Sequence, residues 1–190
     1  MLMRIGITGT PGSGKSTLAK ELAKKLKGNV LEINDVLEET KAFRLDKNTN
    51  EKVAKLAKLQ KEIIRRLKNT KNTTIVVGHL LQEMHLPLDM VIVKRINLNT
   101  LFLRLKSRGY PKWKISENII AEGMDYCGEK AAKVYGNTYE IESEKEKKAI
   151  IEGIGNMHMG KKISLNSLRK QKDKTKEMLS FIARNKNLGI

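Results

Sequence analysis

The sequence predicts an α/β fold, a parallel sheet with helices on both faces. Two observations carry this. Short β-branched runs alternate with stretches whose apolar residues recur at helical spacing. A glycine-rich phosphate-loop motif joins the first such run to the first helix. Strands separated by helices pair in parallel and need cover on both sides.

The elements follow in order. Met3–Thr8 reads as a short buried strand, and Ser16–Leu26 as a helix with Leu18, Leu22 and Leu26 four apart. Asn29–Ile33 is a second strand. Glu51–Leu67 is a long amphipathic helix with Leu56, Leu59, Ile63 and Leu67 on one stripe. Thr73–Val77 and Met90–Val93 are buried strands. Asn97 caps a helix carrying Leu98, Leu101, Phe102 and Leu105, and Arg108-Gly109-Tyr110-Pro111 breaks it. Ser116 is the expected cap of the next helix, which bears Ile120, Met124, Cys127 and Ala131, and Thr138–Ile141 is a last strand. Three glycines in eight residues make 153–160 a linker. Leu165, Leu168, Thr175, Met178, Leu179 and Ile182 then mark a basic helix. The expected organisation is one domain over 1–155, with 156–190 as a linker and C-terminal helix.

Composition narrows the function classes. An apolar fraction of 39% over 190 residues supports a buried core and excludes a wholly disordered chain. No apolar run approaches the roughly 18 residues of a membrane span. The opening MLMRIGITG lacks a secretory plan, and the single cysteine, Cys127, excludes an internal disulfide framework. The expected location is therefore the cytoplasm, with no membrane partner. The net charge of +17 draws polyanions such as nucleotides or nucleic acid. Residues 161–190 concentrate it, with nine basic against two acidic residues. This tail reads either as a solvated terminal helix or as an arm on RNA phosphates, which need no base code.

The chemistry lies in Gly9-Thr10-Pro11-Gly12-Ser13-Gly14-Lys15-Ser16, which fits G-x-x-x-x-G-K-[ST] between a strand and a helix. Glycines let successive N–H groups converge on an anion, and the helix N-terminus adds its positive end. Lys15 is expected on the β- and γ-phosphates, and the Ser16 hydroxyl on Mg²⁺. The motif implies a nucleoside triphosphate with Mg²⁺ but does not name the phosphoryl acceptor. No Asn-Lys-x-Asp guanine signature is present, which favours a small kinase over a GTPase.

Four segments occur in an order that resembles a known family. They are Gly9–Thr17, Asn34-Asp35-Val36, the His79 segment and Leu105-Lys106-Ser107-Arg108-Gly109-Tyr110. Together they resemble the adenylate kinase-like ATPases of the CINAP type, over roughly residues 1–155. The resemblance implies a nucleoside monophosphate kinase fold with a five-stranded parallel sheet. It implies an NMP-binding region at about 34–53 and a lid at about 104–114. It further implies phosphoryl transfer from ATP to AMP, ATP hydrolysis, and a role in small ribosomal subunit assembly and rRNA processing. The partners so implied are AMP, a small-subunit ribosomal protein and rRNA.

Carried over by position, Gly12, Gly14, Lys15, Ser16 and Thr17 hold ATP phosphates, and Arg108 meets ATP from the lid. Lys145 falls where the family contacts the adenine end. The family places Asp-x-His after a strand; here Val77-Gly78-His79 lacks the aspartate. His79 then either orients the attacking water or a phosphate, or is a strand-end histidine held by a backbone carbonyl. Asp35 is the nearest alternative carboxylate by topology. For the AMP phosphate the candidates are Arg44 and Arg95, the latter because it ends a strand where α/β folds bind ligands.

Overall fold

The computed structural model describes residues 2–47, 50–161, 165, 168 and 174–185. Five parallel strands form the sheet: β1 (Arg4–Thr8), β2 (Asn29–Glu32), β5 (Thr74–Val77), β6 (Met90–Lys94) and β7 (Thr138–Ile141). Their spatial order is β2-β5-β1-β6-β7. Four of them are buried almost throughout, which suits parallel strands covered on two sides. The expected five strands and two-sided cover are both present.

Helix α1 (Lys15–Leu26) and helix α7 (Glu144–His158) cover one face. Leu18, Leu22 and Leu26 meet Ile5, Ile7, Ile75, Val77 and Ile92 there, with Ile150 and Ile154 of α7. The opposite face packs against α3 (Leu56–Asn69) through Leu59, Ile63 and Leu67, and against α6 (Tyr126–Tyr135). A third apolar cluster joins α4 (Leu98–Ser107), α5 (Lys112–Gly123) and α8 (Thr175–Arg184).

Several boundaries differ from the sequence-based expectation, each for a physical reason. The strand expected to Ile33 ends at Glu32, because Ile33–Glu39 forms α2 with Ile33, Val36 and Leu37 buried. The helix expected from Glu51 begins only at Leu56. Lys52–Ala54 instead forms β4, paired antiparallel to β3 (Phe43–Leu45). Ser116 caps nothing; it is buried inside α5, which starts after Pro111. The continuous helix through Met124 is broken at Asp125, held at φ 56°. Its carboxylate is tied to Arg95, which fixes the turn.

The expected linker over 153–160 is mostly helix. Gly153 and Gly155 lie inside α7 and are buried. Gly155 faces Lys25 of α1, where an added Cβ would sit 3.0 Å from Cε. The glycines let two helices approach; they do not release the chain.

The tail is docked where it is described. Phe181 is 1% exposed, and its ring meets Phe102 edge-on at 5.8 Å. Met178 covers Gly123. The Lys174 ammonium donates to the Ile96 carbonyl and pairs with Glu142 at 2.8 Å. Lys162, Arg169, Lys170, Lys172 and Lys186, on which much of the RNA-arm expectation rests, lie outside the described residues.

Candidate active site

The phosphate loop leaves the carboxyl end of β1, the central strand. The chain crosses at β1 from the β2/β5 side to the β6/β7 side, the kind of point where open α/β sheets bind ligands. Gly9 must be glycine: at φ 139° an added Cβ would lie 2.3 Å from the Lys94 carbonyl oxygen. Gly14 ends the loop in the left-handed region, φ 96°, and α1 starts with Lys15. The first N–H groups of α1 therefore open onto the cleft.

Lys15 is buried, and its ammonium donates to the Thr10 carbonyl at 2.9 Å. Burial lowers its pKa to about 8, although Cys127, Glu122 and Glu32 pull the other way. The Thr10 hydroxyl donates to Glu122 at 2.7 Å, anchoring the loop from below. Arg104 donates to the Gly12 carbonyl at 2.9 Å, anchoring it from α4.

Two clefts flank the loop. The larger, about 600 Å³, runs between Gly12, Ser13, Gly14 and Thr17 on one side and helix α4 on the other, reaching Asn97, Thr100, Arg104, Arg108, Glu142 and Lys147. The smaller, about 260 Å³, holds Lys15, Ser16, Thr17, Glu32, Asn34, His79, Arg108 and Tyr110. Arg108, at the end of α4, lines both clefts beside the phosphate loop. A third cleft of about 520 Å³ continues from His79 and Asn34 toward Glu38, Glu51, Lys52 and Lys114. His79 is thus shared between the loop cleft and this outer one.

His79 is half-buried, and burial, then Lys15 and Lys114, lower its pKa to about 4. The ring is neutral at pH 7. Gln82 holds this turn: its amide donates to the His79 carbonyl at 2.7 Å, and its oxygen accepts from Thr8. The ring is left pointing at the clefts while the backbone is pinned.

The expected site residues divide. Gly12, Gly14, Lys15, Ser16, Thr17, His79 and Arg108 come together. Arg95 does not join them as a phosphate clamp. Its guanidinium is 1% exposed and bonded to Glu122 at 2.9 Å, to Asp125, and to Glu140 at 3.4 Å. It borders the large cleft, but three carboxylates and the Glu122 carbonyl take up its donors. Arg44 is exposed on β3, and Asp35 is exposed in the first turn of α2; neither lines the three clefts. Lys145 is exposed on α7, and its neighbours Glu144 and Lys147 line the large cleft instead. Glu32, Lys114 and Lys52 are the residues that the sequence reading left out. Lys114 pairs with Glu51 at 2.5 Å and Lys52 with Glu38 at 2.5 Å, and all four line the outer cleft.

Comparisons with known proteins agree with this fold. A family model described as an AAA domain matches residues 5–125. A protein of Methanocaldococcus jannaschii named "Putative adenylate kinase" is 36% identical over 142 residues, covering 74% of this chain and 77% of its own. The protein of the same name from Pyrococcus furiosus is 38% identical over 146 residues, covering 74% and 75%. The chain belongs to the adenylate kinase-like P-loop family. Members of this family are small P-loop kinases by name, and the fold agrees. A shikimate kinase from Acinetobacter baumannii superposes with a TM-score of 0.59 at 15% identity, covering 86% of this chain and 97% of that one. A deoxyadenosine kinase from M. mycoides gives 0.51 at 21% identity, covering 83% and 98%. At such identity these two speak for the fold alone. Among the described residues, no helix is long and apolar enough to cross a membrane.

Proposed function

We propose that this chain transfers the terminal phosphoryl group of Mg²⁺-ATP to AMP. The observation that carries the reading is the continuity of three clefts: the large and small share Gly12, Gly14, Thr17 and Arg108, and the small and outer share Asn34 and His79. ATP lies in the large cleft with its phosphates on Gly12–Thr17. AMP lies in the outer cleft, its phosphate facing His79.

Phosphoryl transfer is catalysed mainly by positioning and by neutralising charge. The Lys15 ammonium leaves the Thr10 carbonyl for the β- and γ-phosphates. Arg108 comes from the lid to the same oxygens. The His79 ring, neutral, donates or accepts one hydrogen bond and orients the acceptor phosphate without adding charge. No general base is required, because the acceptor oxygen is already anionic. Lys114 and Lys52 are the nearest cations on the outer walls; on binding, the AMP phosphate competes with Glu51 and Glu38 for them. The donor set suits Mg²⁺, with the Ser16 hydroxyl exposed at the loop and a carboxylate in the same cleft. Bound there, the ion screens the triphosphate charge.

The test is ADP formation from ATP plus AMP, measured with the full chain. AMP-dependent ADP formation that Lys15→Ala abolishes is the expected result. ATP loss that is indifferent to AMP overturns the kinase assignment. That second outcome favours a slow ATPase serving small-subunit ribosome assembly through a ribosomal protein and rRNA, a reading supported by the net charge of +17. It requires salt-dependent RNA affinity, which a filter-binding titration measures.

A further inference from the structure

Glu32 ends β2 and is the one acidic residue among those lining the loop cleft. Among the described residues it has neither a hydrogen-bond nor an ion-pair partner, yet it is half-buried and close enough to act on the Lys15 charge. Its place in the sheet is fixed by register. β2 pairs with β5 in parallel, and the Cα partner of Glu32 is Val77. Register partners on neighbouring strands point to the same face, about 4.8 Å apart. Val77 belongs to the core under α1, and Val30, two residues before Glu32, packs against the same core. Glu32 therefore emerges on the α1 side, at the height of Val77, where α1 begins with Lys15 and Ser16.

Val77 is the position where the Asp-x-His resemblance calls for a carboxylate. A valine there is wholly buried and can hold no ion. Asp35, the alternative that topology suggests, lies outside the cleft. We propose that Glu32 is the carboxylate for the Mg²⁺ that accompanies ATP, holding its water shell opposite Ser16 from one strand further along the sheet. This rests on the reading that the phosphate loop binds Mg²⁺-ATP; it does not depend on which acceptor is used. Glutamate suits the place, because its extra methylene spans part of the additional strand spacing.

The experiment is a titration of the full chain with a fluorescent ATP analogue, with Mg²⁺ and with EDTA, without AMP. In the unaltered chain, Mg²⁺ is expected to tighten binding. Glu32→Gln is expected to remove most of that gain, because partners of bound metal ions contribute about 10–100-fold to metal affinity. Its metal-free affinity stays equal or rises, since one negative charge has left the triphosphate site. Glu32→Asp falls between. Circular dichroism of the variant checks the fold. If Glu32→Gln keeps the full Mg²⁺ gain while binding the nucleotide, the assignment of Glu32 is overturned and the ATP reading stands. If the unaltered chain binds no nucleotide in either condition, both fall together.

Discussion

Replacing Arg95 with methionine removes the guanidinium and keeps most of the volume. What remains is the buried set of Glu122, Asp125 and Glu140, with side chains 1%, 8% and 8% exposed. Lys174 is the cation left beside them, 3.4 Å from Glu122. Breaking a buried pair from one side costs about 3–5 kcal/mol, because the partner charge stays buried. Here three carboxylates share the lost cation, so the upper end applies, tempered by protonation of one of them. At roughly 2–4 °C per kcal/mol for a chain of this size, the melting temperature falls by about 10–20 °C. Thermal unfolding followed by circular dichroism reads the shift, and the AMP KM of the surviving folded enzyme is measured below it. A structural Arg95 gives the large drop with an unchanged KM. A melting temperature within about 2 °C of the parent, with KM for AMP raised tenfold or more, would refute this account and return Arg95 to the acceptor phosphate.

Other expectations follow from the same site. The Lys15 pKa near 8 is set by burial, and a triphosphate restores the ammonium; ATP binding at pH 8 should therefore take up about half a proton, seen as a buffer-dependent calorimetric enthalpy. His79 has a folded pKa near 4, below its ordinary 6.5, so the unfolded chain binds the extra proton. Its contribution is fully present above pH 6.5 and is lost as pH falls toward 4, amounting to about 3 kcal/mol; His79→Gln should flatten that part of the stability profile measured by urea unfolding. The Asn97 side chain accepts from the Asn99 and Thr100 amides at 3.1 and 3.2 Å, so Asn97→Ala should cost about 1 kcal/mol in the same assay.

The parts of the molecule governed by local chemistry were readable in one dimension. The phosphate loop, the helix behind it and the strands around Ile5, Ile75 and Ile92 follow from glycine spacing and β-branched runs. Asn97 was identified as a cap because capping is decided within three residues. What failed depended on distant partners. Arg95 meets carboxylates 27, 30 and 45 positions away, and nothing in its neighbourhood reveals them. Glu32 became informative only through its register with Val77, a relation between strands 45 residues apart. Gly153 and Gly155 suggested a linker because composition cannot distinguish a flexible glycine from one that admits a neighbouring helix.

Helix α4 is held at both ends by parts of the molecule remote in sequence. At its start, Glu177 of α8 accepts from the Leu98 amide at 2.5 Å and from the Asn97 side chain at 2.8 Å. Less than two turns on, Arg104 grips Gly12, and the helix ends at Arg108. A ten-residue helix is a stiff rod of about 15 Å. Tension at one end is therefore transmitted to the other. If the nucleotide binds against the arginine end as proposed, it also steadies the seat of α8, and unseating α8 then weakens nucleotide binding by the same free energy. Amide exchange at 175–184 is in effect a remote gauge of the phosphate loop.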